Sequence, residues 1–248
     1  ITFYEGKGCR SFKDPLPSAE SAIARLVTEY PIKSESVVCH IRQANSGAVC
    51  LENTHPFSRE LWGFHWTFAH NGQLDAALFS LPLTHYHPVG STDSEYAFCW
   101  LLGEIRNQFP ERPASYAELI SFVNCRCDQL RELSFFNMLL TDSCYLFSYC
   151  TTKLSWITRK APFGQASLTD AEVSVDFCTK TTPTDVVTVV ATVPLTDDEV
   201  WNKLAVGEMI VFRNGVVITG DEVAEAGCTV IAEVDTSAQS ESIDTALS

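Results

Sequence analysis

The sequence predicts an α+β fold in which antiparallel sheets stack on each other and helices pack outside them. Two observations predict the topology. Short β-rich segments follow one another with turn residues between them, and the helical patterns are grouped rather than alternating one for one with strands. That order disfavours a parallel βαβ sheet and favours hairpins. A third observation concerns size: 248 residues, 46% hydrophobic and 19% charged, are enough to bury the core of one large domain.

The elements follow from local pattern. Residues 1–4 read as a strand. Residues 18–30 read as an amphipathic helix with Ser18 as cap and Ala22, Ile23, Leu26, Val27 and Tyr30 at helical spacing. Residues 37–42 read as a buried strand, and the aromatic-rich stretch 62–70 as another that ends at Asn71-Gly72. Thr92 and Glu95 have capping-box spacing and open a helix whose apolar face is Ala97, Phe98, Leu101, Leu102 and Ile105. Ser115 and Glu118 repeat the box for a helix running to about residue 133. Segments 136–141, 145–150, 154–159, 173–177 and 186–193 read as a meander, and 197–204 as a short helix after Thr196. Strands at 208–212 and 216–218 flank the hairpin turn Arg213-Asn214-Gly215. The domain is taken as residues 1–235, with 236–248 a polar, disordered tail.

Composition narrows the function classes. A net charge of −14 argues against nucleic-acid and anionic-membrane partners, which need clustered Lys and Arg. No apolar run is long enough for a transmembrane helix, and no Walker or Gly-x-Gly-x-x-Gly pattern offers a nucleotide-phosphate loop. The ten cysteines are scattered and mostly lie in apolar stretches, which reads as buried free thiols in a reducing, cytoplasmic setting. Cys39 is expected to pack inward. His85-Tyr86-His87 lacks a third ligand at sensible spacing, so neither metal nor cofactor is expected.

Four segments carry chemistry: Cys39-His40-Ile41-Arg42-Gln43-Ala44-Asn45, Glu52-Asn53-Thr54-His55-Pro56-Phe57, Ala69-His70-Asn71-Gly72 and Thr92-Asp93-Ser94-Glu95. Each alone is weak; Asn71-Gly72 by itself reads as a type I′ turn. Arg42 alone reads as a surface arginine, and Asp93 as a helix-dipole partner. In their order and spacing, however, the four segments resemble the class II glutamine amidotransferases of the N-terminal-nucleophile hydrolase superfamily. The likeness is nearest to small stand-alone bacterial members, and it extends through Phe136-Asn137-Met138 and Thr181-Thr182-Pro183 to about residue 218.

The resemblance implies a four-layer αββα sandwich of two antiparallel sheets. It also implies hydrolysis of a γ-glutamyl amide through a thioester on an amino-terminal cysteine. The Asn71 side chain and the Gly72 N–H form the oxyanion hole in that reading. Arg42 takes the substrate α-carboxylate and Asp93 its α-ammonium, with His70 at the substrate site. His40, Asn53, His55 and Thr92 support the site, and a structural role is the plainer reading of the three histidines. The chain opens at Ile1, so the nucleophile is missing from it and the domain is read as amino-terminally truncated. Asn45-Ser46 stands where many relatives have a Thr-His pair. Free glutamine, a γ-glutamyl peptide, or glutamine binding without cleavage remain open as activities. A homodimer and a separate ammonia-accepting protein are the expected partners beside the small-molecule substrate.

Overall fold

The computed structural model describes residues 1–6, 8–30, 32–41, 48–169 and 174–218. In chain order the elements are β1 (Thr2–Glu5), β2 (Gly8–Ser11), α1 (Ala22–Glu29), β3 (Val37–Val38), β4 (Phe57–Leu61), β5 (Phe64–Leu74), α2 (Asp93–Gln108) and α3 (Tyr116–Arg131). They continue with β6 (Ser134–Thr141), β7 (Leu146–Tyr149), β8 (Ser155–Lys160), β9 (Gln165–Ser167), β10 (Ser174–Asp176), β11 (Val186–Ala191), β12 (Asn202–Lys203), β13 (Met209–Arg213) and β14 (Val216–Val217). Every strand pair among the described residues is antiparallel.

The centre is a six-stranded sheet in the order β14-β13-β7-β6-β5-β4. Side chains alternate across a strand, and β5 uses both faces. Trp66 and Phe68 join Met138 and Leu140 of β6 in the large core cluster, together with Phe98, Leu101, Leu119 and Val123 of α2 and α3. The odd residues Thr67, Ala69 and Asn71 face the other way. There Tyr4 of β1 donates from its hydroxyl to Thr67 Oγ1 at 2.7 Å, which brings the β2-β1-β3 sheet onto that face. The β11-β8-β12 sheet covers the same face further along: Trp156 and Val190 pack with Leu139 and Ile210 around Cys150, Leu154 and Leu204. Phe3 points away from the large sheet to Tyr30, just past α1, at 6.0 Å between ring centres. The layers are therefore α2–α3, the large sheet, the smaller sheets, and α1 outside: an αββα sandwich.

Local signals placed most elements within a residue or two. The turn at Asn214-Gly215 has positive φ at both residues, 49° and 74°, as a type I′ hairpin requires. Thr92 Oγ1 accepts the Glu95 N–H at 3.1 Å and so caps α2, while all five residues of its expected apolar face are fully buried. Other expectations are corrected. Ser21, not Ser18, caps α1, and Ser115 accepts from Ala117 N rather than from Glu118. Of the expected 37–42 strand, residue 42 lies outside the described residues, and within 37–41 only Val37–Val38 form strand, pairing with Thr2 and Phe3 of β1.

No helix forms at 197–204. Glu199 is drawn into an ion pair with Arg159 of β8, Trp201 donates to Thr196 at 2.9 Å, and Asn202–Lys203 pair with β8 instead. A helix of about two turns cannot compete with those partners, because a helix nucleus is costly. Residue 173 of the expected 173–177 strand and the 236–248 tail lie outside the described residues.

The thiols also depart from expectation. Cys99, Cys127 and Cys150 are buried, but Cys125 and Cys178 are exposed. Cys39 is exposed too, because its neighbour Val38 takes the inward position of the strand. Cys144 is disulfide-bonded rather than free.

Candidate functional site

β5 is the organising element. It runs eleven residues, through Asn71 and Gly72 to Leu74, so Asn71-Gly72 is strand and not the turn that ends it. The reason is the partner: β6 pairs across the whole segment, with Asn71 opposite Asn137 and Gly72 opposite Phe136. β4 stops earlier, its last pair being Phe57 with Phe68, so among the described residues no strand pairs with the far end of β5 on that side, and the edge is open there.

The parity of the ladder decides what that edge presents. Phe136 N–H turns away from β5 to donate to Thr151 Oγ1 at 2.7 Å. In an antiparallel pair the opposite residue then also points outward, so Gly72 N–H faces the open edge. Its neighbours on the edge behave accordingly. His70 O accepts from His40 Nε2 at 3.1 Å, and Leu74 N–H donates to Asp93 Oδ2 at 2.8 Å. Gly72 N–H thus lies between a histidine-bound carbonyl and an aspartate-bound amide. The exposed Asn71 side chain stands next to it on the inter-sheet face and makes no hydrogen bond among the described residues.

Gly72 is glycine for a reason the sequence hid. A Cβ there would lie 2.0 Å from Phe135 O and 2.7 Å from His70 Nε2. That space is crossed by the bond from His70 Nε2 to Phe135 O, 3.1 Å long. A carbonyl only accepts, so His70 carries its proton on Nε2, and Nδ1 accepts from Ser94 Oγ at 2.9 Å. Burial pushes the His70 pKa down and keeps the ring neutral. His70 is therefore a strut that joins β5, β6 and the first turn of α2.

Asp93 sits at that same helix start. Oδ1 accepts Ser94 N–H at 2.8 Å and Oδ2 accepts Leu74 N–H at 2.8 Å. The Ser94 hydroxyl also lies 3.4 Å from Oδ1; a carboxylate has about four acceptor positions, so it retains capacity for a ligand, and the residue is only half-buried. Thr92 caps the helix beside it.

The turn before α2 is fixed from two sides. Buried Glu95 bonds Arg59 at 2.6 Å and Gly90 N–H at 2.7 Å. Buried Asn53 accepts from Ser91 N–H at 2.8 Å and donates to Ala48 O at 3.1 Å. Gly90 makes room for this, since a Cβ would lie 2.3 Å from Asn53 Oδ1. His55 stacks on His40 with ring centres 4.2 Å apart and also touches Phe57.

The structure thus gathers His40, Asn53, His55, His70, Asn71, Gly72, Thr92 and Asp93 around one end of β5. Arg42 lies outside the described residues. Three contributors carried no assigned role at the site in the sequence: Ser94, Asn137 and Glu95, which was read only as part of the helix capping box. Asn137 accepts from Thr151 and Thr152 N–H at 3.0 Å each, and donates to Asn71 O at 2.9 Å and Thr152 Oγ1 at 2.7 Å. A polar residue inside the apolar run Phe135–Leu140 was the available signal. His85 of the histidine loop bonds Asn107 at 2.8 Å, and among the described residues no cluster of three or more His, Cys, Asp or Glu is placed to hold a metal. Among them, too, no helix is long and apolar enough to cross a membrane.

Comparison with known proteins places this geometry. A family model described as glutamine amidotransferases class-II matches residues 1–234. The chain is 58% identical over 215 residues to the amidotransferase-like protein YafJ of Escherichia coli (strain K12), covering 87% of this chain and 84% of that protein. It is 40% identical over 218 residues to a Haemophilus influenzae protein of similar description, covering 87% and 72%. The 2.0 Å crystal structure of a predicted glutamine amidotransferase from Pseudomonas aeruginosa PA01 is 49% identical, with a TM-score of 0.75 over 88% of this chain and 85% of that one.

Proposed function

This chain belongs to the class II glutamine amidotransferases, and from that premise we propose that the β5 end binds and hydrolyses the side-chain amide of glutamine or a related γ-glutamyl amide. The observation that carries the reading is the open edge of β5. It offers the outward Gly72 N–H beside the unengaged Asn71 amide, and the Asp93 carboxylate is bound two residues further on.

In this reading the substrate carbonyl oxygen lies against Asn71 and Gly72, where negative charge develops as the amide is attacked. Asp93 takes the α-ammonium and Arg42 the α-carboxylate. The nucleophile in this reading is an amino-terminal cysteine. Its sulfur bonds the amide carbon, its own α-amine relays the thiol proton to the leaving nitrogen, and the C–N bond breaks. Water then cleaves the γ-glutamyl thioester to the free acid.

The test is amide hydrolysis by the natural protein, with ammonia and glutamate measured separately. Asn71→Ala removes one oxyanion donor and is expected to lower kcat about 10²–10³-fold with little change in KM. Its side chain makes no hydrogen bond among the described residues, so the melting temperature should stay put. Asp93→Asn is expected to raise KM first. Unchanged kcat in the Asn71 variant would remove the basis of the proposal.

A further inference from the structure

The Gly72 N–H does not set its own direction. It belongs to the same peptide group as the Asn71 carbonyl, and a trans peptide is planar, with its N–H and C=O pointing in opposite directions. Whatever holds Asn71 O toward β6 therefore holds Gly72 N–H toward the open edge. That partner is Asn137, which lies opposite Asn71 in the ladder and donates from Nδ2 to Asn71 O at 2.9 Å. A hydrogen bond at the carbonyl also polarises the peptide and makes its N–H a stronger donor.

Asn137 is only 3% exposed, and its side-chain amide is fully engaged. Oδ1 accepts from Thr151 and Thr152 N–H, and Nδ2 donates to Thr152 Oγ1 as well as to Asn71 O. Two acceptor and two donor positions are all that an amide has, so Asn137 has nothing left for a substrate and acts only through its neighbours. The two backbone N–H groups can bond only to its oxygen, which fixes which way the amide lies. This acceptor half pins the bend after β7, and an aspartate would do that equally well. The Thr152 hydroxyl can donate as well as accept. Only Asn71 O, an acceptor and nothing else, demands an N–H from this position.

We propose that Asn137 is a positioning residue for the oxyanion hole, holding the Asn71–Gly72 peptide so that the Gly72 N–H meets the substrate oxygen as charge develops on it. The proposal rests on the reading of the β5 end as the hydrolytic site and deepens it.

Steady-state hydrolysis of glutamine and of γ-glutamyl-p-nitroanilide by the natural protein tests it. Asn137→Asp keeps both threonine N–H bonds and turns a carboxylate oxygen onto Asn71 O. Its kcat is expected to fall about tenfold, part of the roughly 10²–10³-fold that a whole oxyanion donor carries, with KM within about twofold. Thr152→Val frees the Asn137 amide from one partner without adding charge, and its exposed side chain makes it mild for the fold. It should lower kcat about threefold, again at constant KM. Leu204→Ala loosens the same bend through Cys150 and Leu154, which flank the two threonines, and should leave kcat as it is. Unchanged kcat in Thr152→Val, or in a folded Asn137→Asp, overturns the assignment and leaves the β5 site standing. So does a loss carried by KM, or an equal loss of kcat in Leu204→Ala. Hydrolysis of neither compound, or full kcat in Asn71→Ala, overturns the β5 reading and the role of Asn137 with it.

Discussion

The two faces of the central sheet are built differently. The face under α2 and α3 is a continuous aromatic and aliphatic cluster in which Phe68 and Phe98 stack at 5.0 Å and Trp62 meets Trp66 edge-on at 5.8 Å. The face under β8, β11 and β12 holds a smaller cluster, Cys150, Leu154 and Leu204 with half-buried residues around them, and buried Phe212 meets Trp156 edge-on at 5.5 Å. Close-packed interiors resist displacement. The difference teaches where precision is needed: the helix side fixes β5 and Asp93, and in the proposed reading the substrate approaches from the looser side.

The contrast can be broken from the densest point outward. Phe98→Ala removes a ring at the centre of the helix-side cluster and is expected to cost about 3–5 kcal/mol in chemical unfolding. Leu204→Ala, its counterpart in the sparse layer, should cost about 2 kcal/mol, the low end for such truncations. Equal losses would mean the two faces are equally packed.

Gly72→Ala strikes the crossing of His70 and Phe135. Displacing backbone there should cost about 1–3 kcal/mol. Activity should fall even where the protein remains folded, because the edge N–H moves with the strand.

The smallest effect sharpens the comparison at His70. Its pKa is lowered in the fold, so the unfolded chain takes up a proton that the folded one refuses. The stability this contributes is present in full above the ordinary histidine value of 6.5 and is lost as pH falls below it. Unfolding free energy measured between about pH 7 and 5.5 should decline more steeply in the natural chain than in His70→Gln. Parallel slopes would show that His70 titrates as freely in the fold as in the unfolded chain.

Sequence legibility follows the range of the interaction. The type I′ turn at Asn214-Gly215, the Thr92 cap and the buried stripe from Ala97 to Ile105 are specified by residues a few positions apart, so the sequence determined them. The four spaced segments likewise marked the family. Only tertiary structure decided the rest. Asn71-Gly72 carries a turn signal, yet β6 pairs across it and makes it strand. Residues 197–204 carry a cap signal, yet Arg159 and β8 claim Glu199 and Asn202–Lys203. Glu95 has capping-box spacing, yet its carboxylate serves Arg59 and Gly90. In each case a partner distant in sequence offered more hydrogen bonds or burial than the local alternative. The same is true of the bond over Gly72, which exists only because strands far apart in the chain are neighbours in the sheet.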